Sequence, residues 1–265
     1  MNVLCIGDIV GDPGLEAVRG LIDDAIAEHS IDFIVANAEN VAGGVGAGLT
    51  TDSARELLDR GCHVLTLGDH VWDQKELEPF LDESPQLIRP ANFAEGSPGR
   101  GFTITTIGSD TRVAVVHLVG RMFMRFQANC PFRQIARIVE ELEEEAPIIL
   151  VEIHAETTGE KLALGHFLDG QVSAVWGTHT HVQTADEKIL PKGTAYISDL
   201  GMTGAQDSVL GAKKEMMIER YWTARPVRFQ LADRQIELHG IVMEIDEQTG
   251  SAQSISRIQL PLQSQ

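Results

Sequence analysis

Five short apolar runs constrain this chain more than any other feature, because each has the length of one strand and ends at a polar residue able to bind a ligand. Residues 3–7 lead into Asp8, residues 33–37 into Glu39 and Asn40, residues 63–68 into Asp69 and His70, residues 148–153 into His154, and residues 172–177 into Thr178-His179-Thr180-His181. Continuous and rich in Val and Ile, these runs predict strands buried on both faces, as in a parallel sheet. In open α/β sheets ligands bind in the crevice beyond the carboxyl ends of such strands. Carboxylates and imidazoles from five separate segments are therefore expected on one rim, and they are residue types that hold metal ions.

Between these strands the periodicity changes. Gly11-Asp12-Pro13-Gly14 reads as a turn, and residues 15–29 carry apolar side chains at 18, 21, 22, 25 and 26, a helical period. Helices over 51–60 and 74–82 and a short strand at 87–89 complete a β-α-β-α-β pattern, which predicts right-handed crossovers. From Gly101 the rhythm differs: residues 102–107, a turn at 108–110 and residues 113–119 form a hairpin pattern that brings antiparallel pairing into the sheet. A helix over 131–145 ends in an acidic stretch expected to be solvated. Downstream come a strand at Tyr196-Ile197, a helix over 213–222, and strands over 227–231, 236–244 and 251–260.

Composition narrows the classes. A chain of 265 residues is expected to form one compact domain with a sizeable core. With 39 acidic against 21 basic residues and a net charge of −18, it lacks the clustered Lys and Arg needed to bind a nucleic-acid polymer. A small anion held by metals is still allowed, since bound cations reverse the local field. Cys5, Cys62 and Cys130 form no Cys-x-x-Cys pair, and because Cys5 and Cys62 lie in or beside predicted strands the expected reading is small buried thiols in a reducing compartment. No charged N-terminal region precedes the first strand, and no apolar stretch approaches the roughly 20 residues of a membrane span. A cytoplasmic location is expected.

The candidate ligands differ in weight. A lone strand-end Asp such as Asp8 is more often a cap or turn residue, so it gains from its company. Glu39 follows a buried strand directly, where a carboxylate is costly unless paired or metal-bound. His179 and His181 alternate, which in an extended chain points both to one side and their threonine neighbours to the other. His154 has the same strand-end placement, whereas His29, His63, His166 and His239 lack such company and read as surface or packing residues. His117, inside a strand, is ambiguous. The glycine run over 43–48 matches neither a P-loop nor a dinucleotide pattern and reads as a linker or a substrate-covering loop.

Taken in order, Gly-Asp-Ile-Val-Gly at 7–11, Asn37-Ala38-Glu39-Asn40, Gly68-Asp69-His70-Val71-Trp72-Asp73, Arg89-Pro90-Ala91-Asn92-Phe93, His154-Ala155-Glu156, the run from Gly177 through Thr178-His179-Thr180-His181 to Asp186, and Asp199-Leu200-Gly201-Met202-Thr203-Gly204 resemble the YmdB-like branch of the calcineurin-like metallophosphoesterases. The likeness runs from the first strand to about Arg228. It implies a single metallophosphoesterase domain over 1–265, a sandwich of two mixed β-sheets flanked by helices in α/β/β/α layers. It further implies two metal ions per chain, iron or manganese with zinc as the other option, and phosphodiesterase activity on cyclic nucleotides including the 2',3' type. By motif, Asp8 and His181 would hold one metal, Glu39 would bridge, and Asp69, His154 and His179 would hold the second. Asn40 would sit against the first metal or the substrate phosphate, and His70 would be the acid beside the leaving oxygen.

Two positions depart from the wider pattern. The family motif is usually Gly-Asn-His, and Asp69 here adds a negative charge and cannot donate a hydrogen bond as an Asn amide can. Asp69 is expected to tighten cation binding and weaken attraction for an anionic transition state. Position 10 is Val, where most metallophosphoesterases place a His two residues after the first Asp; the YmdB-like branch shares that lack.

The ligand types carry a chemistry of their own. Two ions roughly 3.5–4 Å apart can clamp a phosphate and activate a water, so no side-chain nucleophile is required. Mixed carboxylate and imidazole ligands suit iron, manganese or zinc better than calcium. The expected partner is a small phosphodiester or cyclic nucleotide, and a homo-oligomer is compatible with the composition. Two further readings fit the same residues: a binuclear amidohydrolase, and a low-turnover metal- and nucleotide-binding regulator in which Asp69 has blunted catalysis.

Overall fold

The computed structural model describes residues 1–43, 48–108 and 110–263, so the loop expected within the glycine run lies largely outside the described residues. Along the chain, β1 (Asn2–Ile6) and the two-residue β2 (Asp8–Ile9) lead into α1 (Gly11–His29), β3 (Phe33–Asn37), α2 (Thr51–Asp59), β4 (Val64–Thr66), α3 (Glu78–Glu83) and β5 (Leu87–Ile88). Gly11 to Gly14 form the first turn of α1 and no separate turn, because Pro13 in a first helical turn has no N–H to leave unsatisfied. The single helix expected over 74–82 is a 3-10 turn, Lys75–Leu77, running into α3.

β1, β3, β4 and β5 pair in parallel in that order, with Leu4 beside Ile34 and Val35 beside Val64. The hairpin of β6 (Phe102–Ile107) and β7 (Thr111–Val119) does not extend this sheet; it opens a second one. There β7 pairs in parallel with β8 (Ile148–His154) and β8 with β9 (Ala174–Thr178), followed by β11 (Ala195–Ile197) and the antiparallel edge strand β10 (Lys188–Ile189). Between them run α4 (Pro131–Leu142), three residues shorter than the acidic stretch suggested, and α5 (Thr158–Leu168), which the residue pattern did not announce.

The tail returns to the first sheet. β12 (Met202–Ala205), α6 (Lys214–Thr223), β13 (Ile236–Ile245) and β14 (Ala252–Pro261) follow, with β13 antiparallel to β1 and β14 antiparallel to β13. Residues 227–231, expected as a strand, make no ladder, and only Leu231 bridges to Ala212.

Side-chain alternation explains the layers. Leu4, Ile6, Ile34 and Leu65 face Val18 and Ile22 of α1 and Leu57 of α2. Their neighbours Val3, Cys5, Val35 and Val64 face Val113, Val115, Leu150 and Trp176 of the second sheet. On the far side Ala114, Val116, Val151 and Ile153 meet Ile135 and Ile138 of α4 and Leu164 and Leu168 of α5. Both faces of each central strand are thus buried, one against a helix and one against a sheet, and each full aliphatic burial stabilises by about 1.5–3 kcal/mol. This is a sandwich of two mixed sheets flanked by helices. Cys5 and Cys62 are buried free thiols, and burial pushes Cys62 up to about 12. Among the described residues, no helix is long and apolar enough to cross a membrane.

Candidate metal centre

Both sheets direct strand ends to one place. Glu39 follows β3, Asp69 follows β4, His154 ends β8 and His179 follows β9, and each offers a ligand atom within 4.8 Å of the others. His154 is the hub: its Nε2 lies 2.9 Å from Glu39 Oε1, 3.1 Å from Asp69 Oδ1 and 2.9 Å from His179 Nδ1. Asp8, at the start of β2, accepts from the His179 backbone N–H at 3.2 Å, and its Oδ1 is 3.8 Å from His181 Nε2. Asn40 stands between the two groups. Its Nδ2 donates to Glu39 Oε1 at 3.2 Å and lies 3.4 Å from His181 Nε2.

His179 and His181 reach the cluster by a route other than the one expected. β9 stops at Thr178, and both histidines adopt positive φ, 94° and 63°, in a tight left-handed stretch. Such conformations persist for non-glycine residues only where the surroundings impose them. Here the buried Asp199 does so. Its Oδ2 accepts from the Thr180 backbone N–H at 3.2 Å and Oγ1 at 2.8 Å, its Oδ1 accepts from Gly201 N–H at 2.9 Å, and the buried Lys161 donates to Oδ2 at 2.6 Å. Sequence reasoning gave no role to Asp199, which enters only as part of a motif, and did not single out Lys161. A lysine on the packed face of α5 breaks its apolar period, which is also why that helix is hard to read.

His70 sits at the rim. Its Nδ1 is 2.7 Å from Asp73 Oδ2, and Arg125, from the loop after β7, is 3.2 Å from the same oxygen. Its backbone N–H donates to Glu39 Oε2 at 3.5 Å, so the ring stands beside the cluster without belonging to it. His117, left open by its sequence, is fully buried with Nδ1 3.5 Å from Glu152, and burial lowers it to about 4.

The charges fit a cation site. Burial pushes the Asp8 carboxyl well above the usual range, against the pull of His154. Burial acts the same way on Glu39 and Asp69, but His154 outweighs it and holds both below their ordinary values. Burial disfavours a charge on His154, yet Glu39, Asp69 and Asp8 push it well upward. His179, lowered to about 4, and His181, also lowered, are both shifted mainly by burial and stay neutral, the ligand form of imidazole. Three buried acidic groups, Asp8, Glu39 and Asp69, thus surround His154. Among the described residues Asp8 Oδ1 has no hydrogen-bond partner, and a Cβ at Gly68 would collide with Glu39 Oε2 and with His154 Nε2. An unpaired buried carboxylate oxygen, neutral imidazoles and a wall kept bare by glycine are what bound metal ions require.

A two-sheet sandwich with carboxylates and imidazoles gathered at its strand ends is of the metallophosphoesterase type. The chain belongs to the YmdB-like protein family, whose profile matches residues 4–258. It is 45% identical over 258 residues to the 2',3'-cyclic-nucleotide 2'-phosphodiesterase of Bacillus subtilis, covering 97% of this chain and 96% of that protein. A crystal structure of a hypothetical protein from Thermus thermophilus is similar with a TM-score of 0.89 at 41% identity, over 98% of this chain and 99% of that one. A crystal structure of a novel phosphatase from Mycoplasma pneumoniae is similar with a TM-score of 0.91 at 28% identity, over 98% and 93%.

Proposed function

We propose that this chain is a metal-dependent phosphodiesterase of small phosphodiesters, 2',3'-cyclic nucleotides foremost, acting in the cytoplasm as one domain over 1–265. The observation that carries this reading is the convergence of Glu39, Asp69, His154 and His179 from both sheets, with His70 at the rim. The name of the Bacillus subtilis relative supports the substrate.

In this reading Asp8 and His181 would hold one of two metal ions and Asp69, His154 and His179 the other, with Glu39 as a carboxylate ligand available to each; iron or manganese would suit these donors, as would zinc. When bound, the ions supply positive charge to the phosphate and a nucleophile from water. Asn40 has an amide that can donate to a phosphate oxygen. Asp73 accepts from His70 Nδ1, so that a doubly protonated His70 ring keeps the Nε2 proton free to give to the leaving oxygen. Arg125 holds Asp73 in place and adds a cation at the mouth of a strongly acidic protein.

The test is hydrolysis of 2',3'-cyclic AMP by protein stripped of metal and reloaded separately with manganese, iron or zinc. Metal-dependent release of a nucleoside monophosphate is the expected result. Inactivity with every metal, together with turnover of an amide or lactone, would overturn the reading.

A further inference from the structure

Glu152 is a buried carboxylate that the mechanism above leaves unused. It stands within β8, 1% exposed, in the gap between the sheets. Three side chains donate to it: Asn37 Nδ2 to Oε1 at 2.7 Å, Thr66 Oγ1 to Oε2 at 2.8 Å and Thr178 Oγ1 to Oε1 at 2.9 Å. The Asn37 amide is not free to turn, because its Oδ1 accepts the Glu39 backbone N–H at 3.2 Å. His117 faces the same carboxylate at 3.5 Å.

A carboxylate ringed by donors acts only as an acceptor. Thr178 therefore gives its one proton to Glu152 and has only lone pairs to offer His154 Nδ1, 2.9 Å away. Strand register makes this contact, since His154 and Thr178 are Cα partners across β8 and β9. His154 must then donate from Nδ1. On its other side Glu39 and Asp69 compete for the same kind of proton at Nε2. An imidazole that kept its proton there could not ligate a metal. We infer that Glu152, acting through Thr178, is a positioning residue that fixes the proton of His154 on Nδ1 and keeps Nε2 available to the metal. The inference rests on the metal-binding reading given above, and it concerns metal affinity, not turnover.

The test compares Thr178→Val, which removes only the hydroxyl, with Thr178→Ser, which keeps it, in the full-length protein. Manganese affinity is read by titration, and the ring nitrogens of His154 are read by 15N NMR in the zinc-loaded protein. Thr178→Val should weaken manganese binding by ~10- to 100-fold, the usual effect of losing a partner behind a metal ligand, and should lose the His154 Nδ1–H signature. Thr178→Ser should restore both. A Thr178→Val protein that binds manganese as tightly as wild type, or a serine variant that fails to restore binding, would overturn the inference and show that Glu152 only fills a polar gap between the sheets. Should the valine variant not fold, Thr178→Ala, which also removes the hydroxyl, carries the same expectation, and wild-type affinity in that variant would overturn the inference. A wild-type chain that takes up no manganese or zinc would instead overturn the metal reading itself, and this inference with it.

Discussion

Around His154 the candidate ligands are already in contact, whereas around Asp8 they stand apart. Glu39 and Asp69 lie within 3.1 Å of His154 Nε2, but Asp8 Oδ1 is 3.8 Å from His181 and has no hydrogen-bond partner among the described residues. Backbone placement accounts for the difference. Most of the crowded half, Glu39, Asp69 and His154, stands at the ends of β3, β4 and β8, where ladders on both sides fix position, with His179 added from the positive-φ stretch after β9; His181 lies further along that stretch, which Asp199 holds. In the crowded half Glu39 and Asp69 draw His154 upward while it holds them down, and in the open half an Asp8 oxygen has no hydrogen-bond partner among the described residues. Identical residue types thus differ in preorganisation because their neighbours' charges differ.

The largest effect should come from removing the hub. His154→Ala leaves Glu39 and Asp69 buried without their cation, and stranding a buried charge costs about 3–5 kcal/mol. Loss of the metal in that half and of essentially all turnover is expected. Metal analysis that still finds two ions per chain would break the contrast between the halves. His70→Ala comes next: turnover of a cyclic nucleotide should fall by ~10²- to 10⁴-fold, the usual worth of a general acid, with metal content unchanged. Unaltered turnover would remove His70 from the mechanism.

A milder change separates the halves directly. His181→Ala should release one metal and retain the other, so equal loss of both would show that the cluster behaves as one unit. The smallest effect is expected from Asp69→Asn, which takes one negative charge out of the crowded half and restores an amide donor. Metal affinity should fall while turnover rises on the order of tenfold, about 1.4 kcal/mol of barrier. A slower Asp69→Asn enzyme would show that the carboxylate suits this centre.

Much of the fold was legible because apolar runs that end in polar residues can hardly be anything but buried strands. The strand ends over β1, β3, β4, β8 and β9 fall within a residue or two of the positions expected from the sequence. What misled has physical causes. α5 is obscured by Gly165, where a side chain would strike Tyr196, and by Lys161, whose ammonium is buried against Asp199. Residues 227–231 have strand composition without an available edge beside them, apart from the Leu231 bridge. Thr178 meets both His154 and Glu152 in a buried hydrogen-bond network that only the packing of two sheets assembles.

By itself the sequence determined which side chains would end strands and which chemistry they could perform, because burial pattern and ligand type are local properties. It also exposed Asp69 in place of the Asn usual in the motif it resembles. Only the tertiary structure decided that the hairpin opens a second sheet, that His179 and His181 enter through positive φ, and that Glu152 lies behind Thr178 and His154. Those features depend on which distant strands become neighbours. Asn37, Thr66 and Thr178 come from three strands in two sheets, and they share the Glu152 carboxylate of a fourth strand only because the sheets pack face to face.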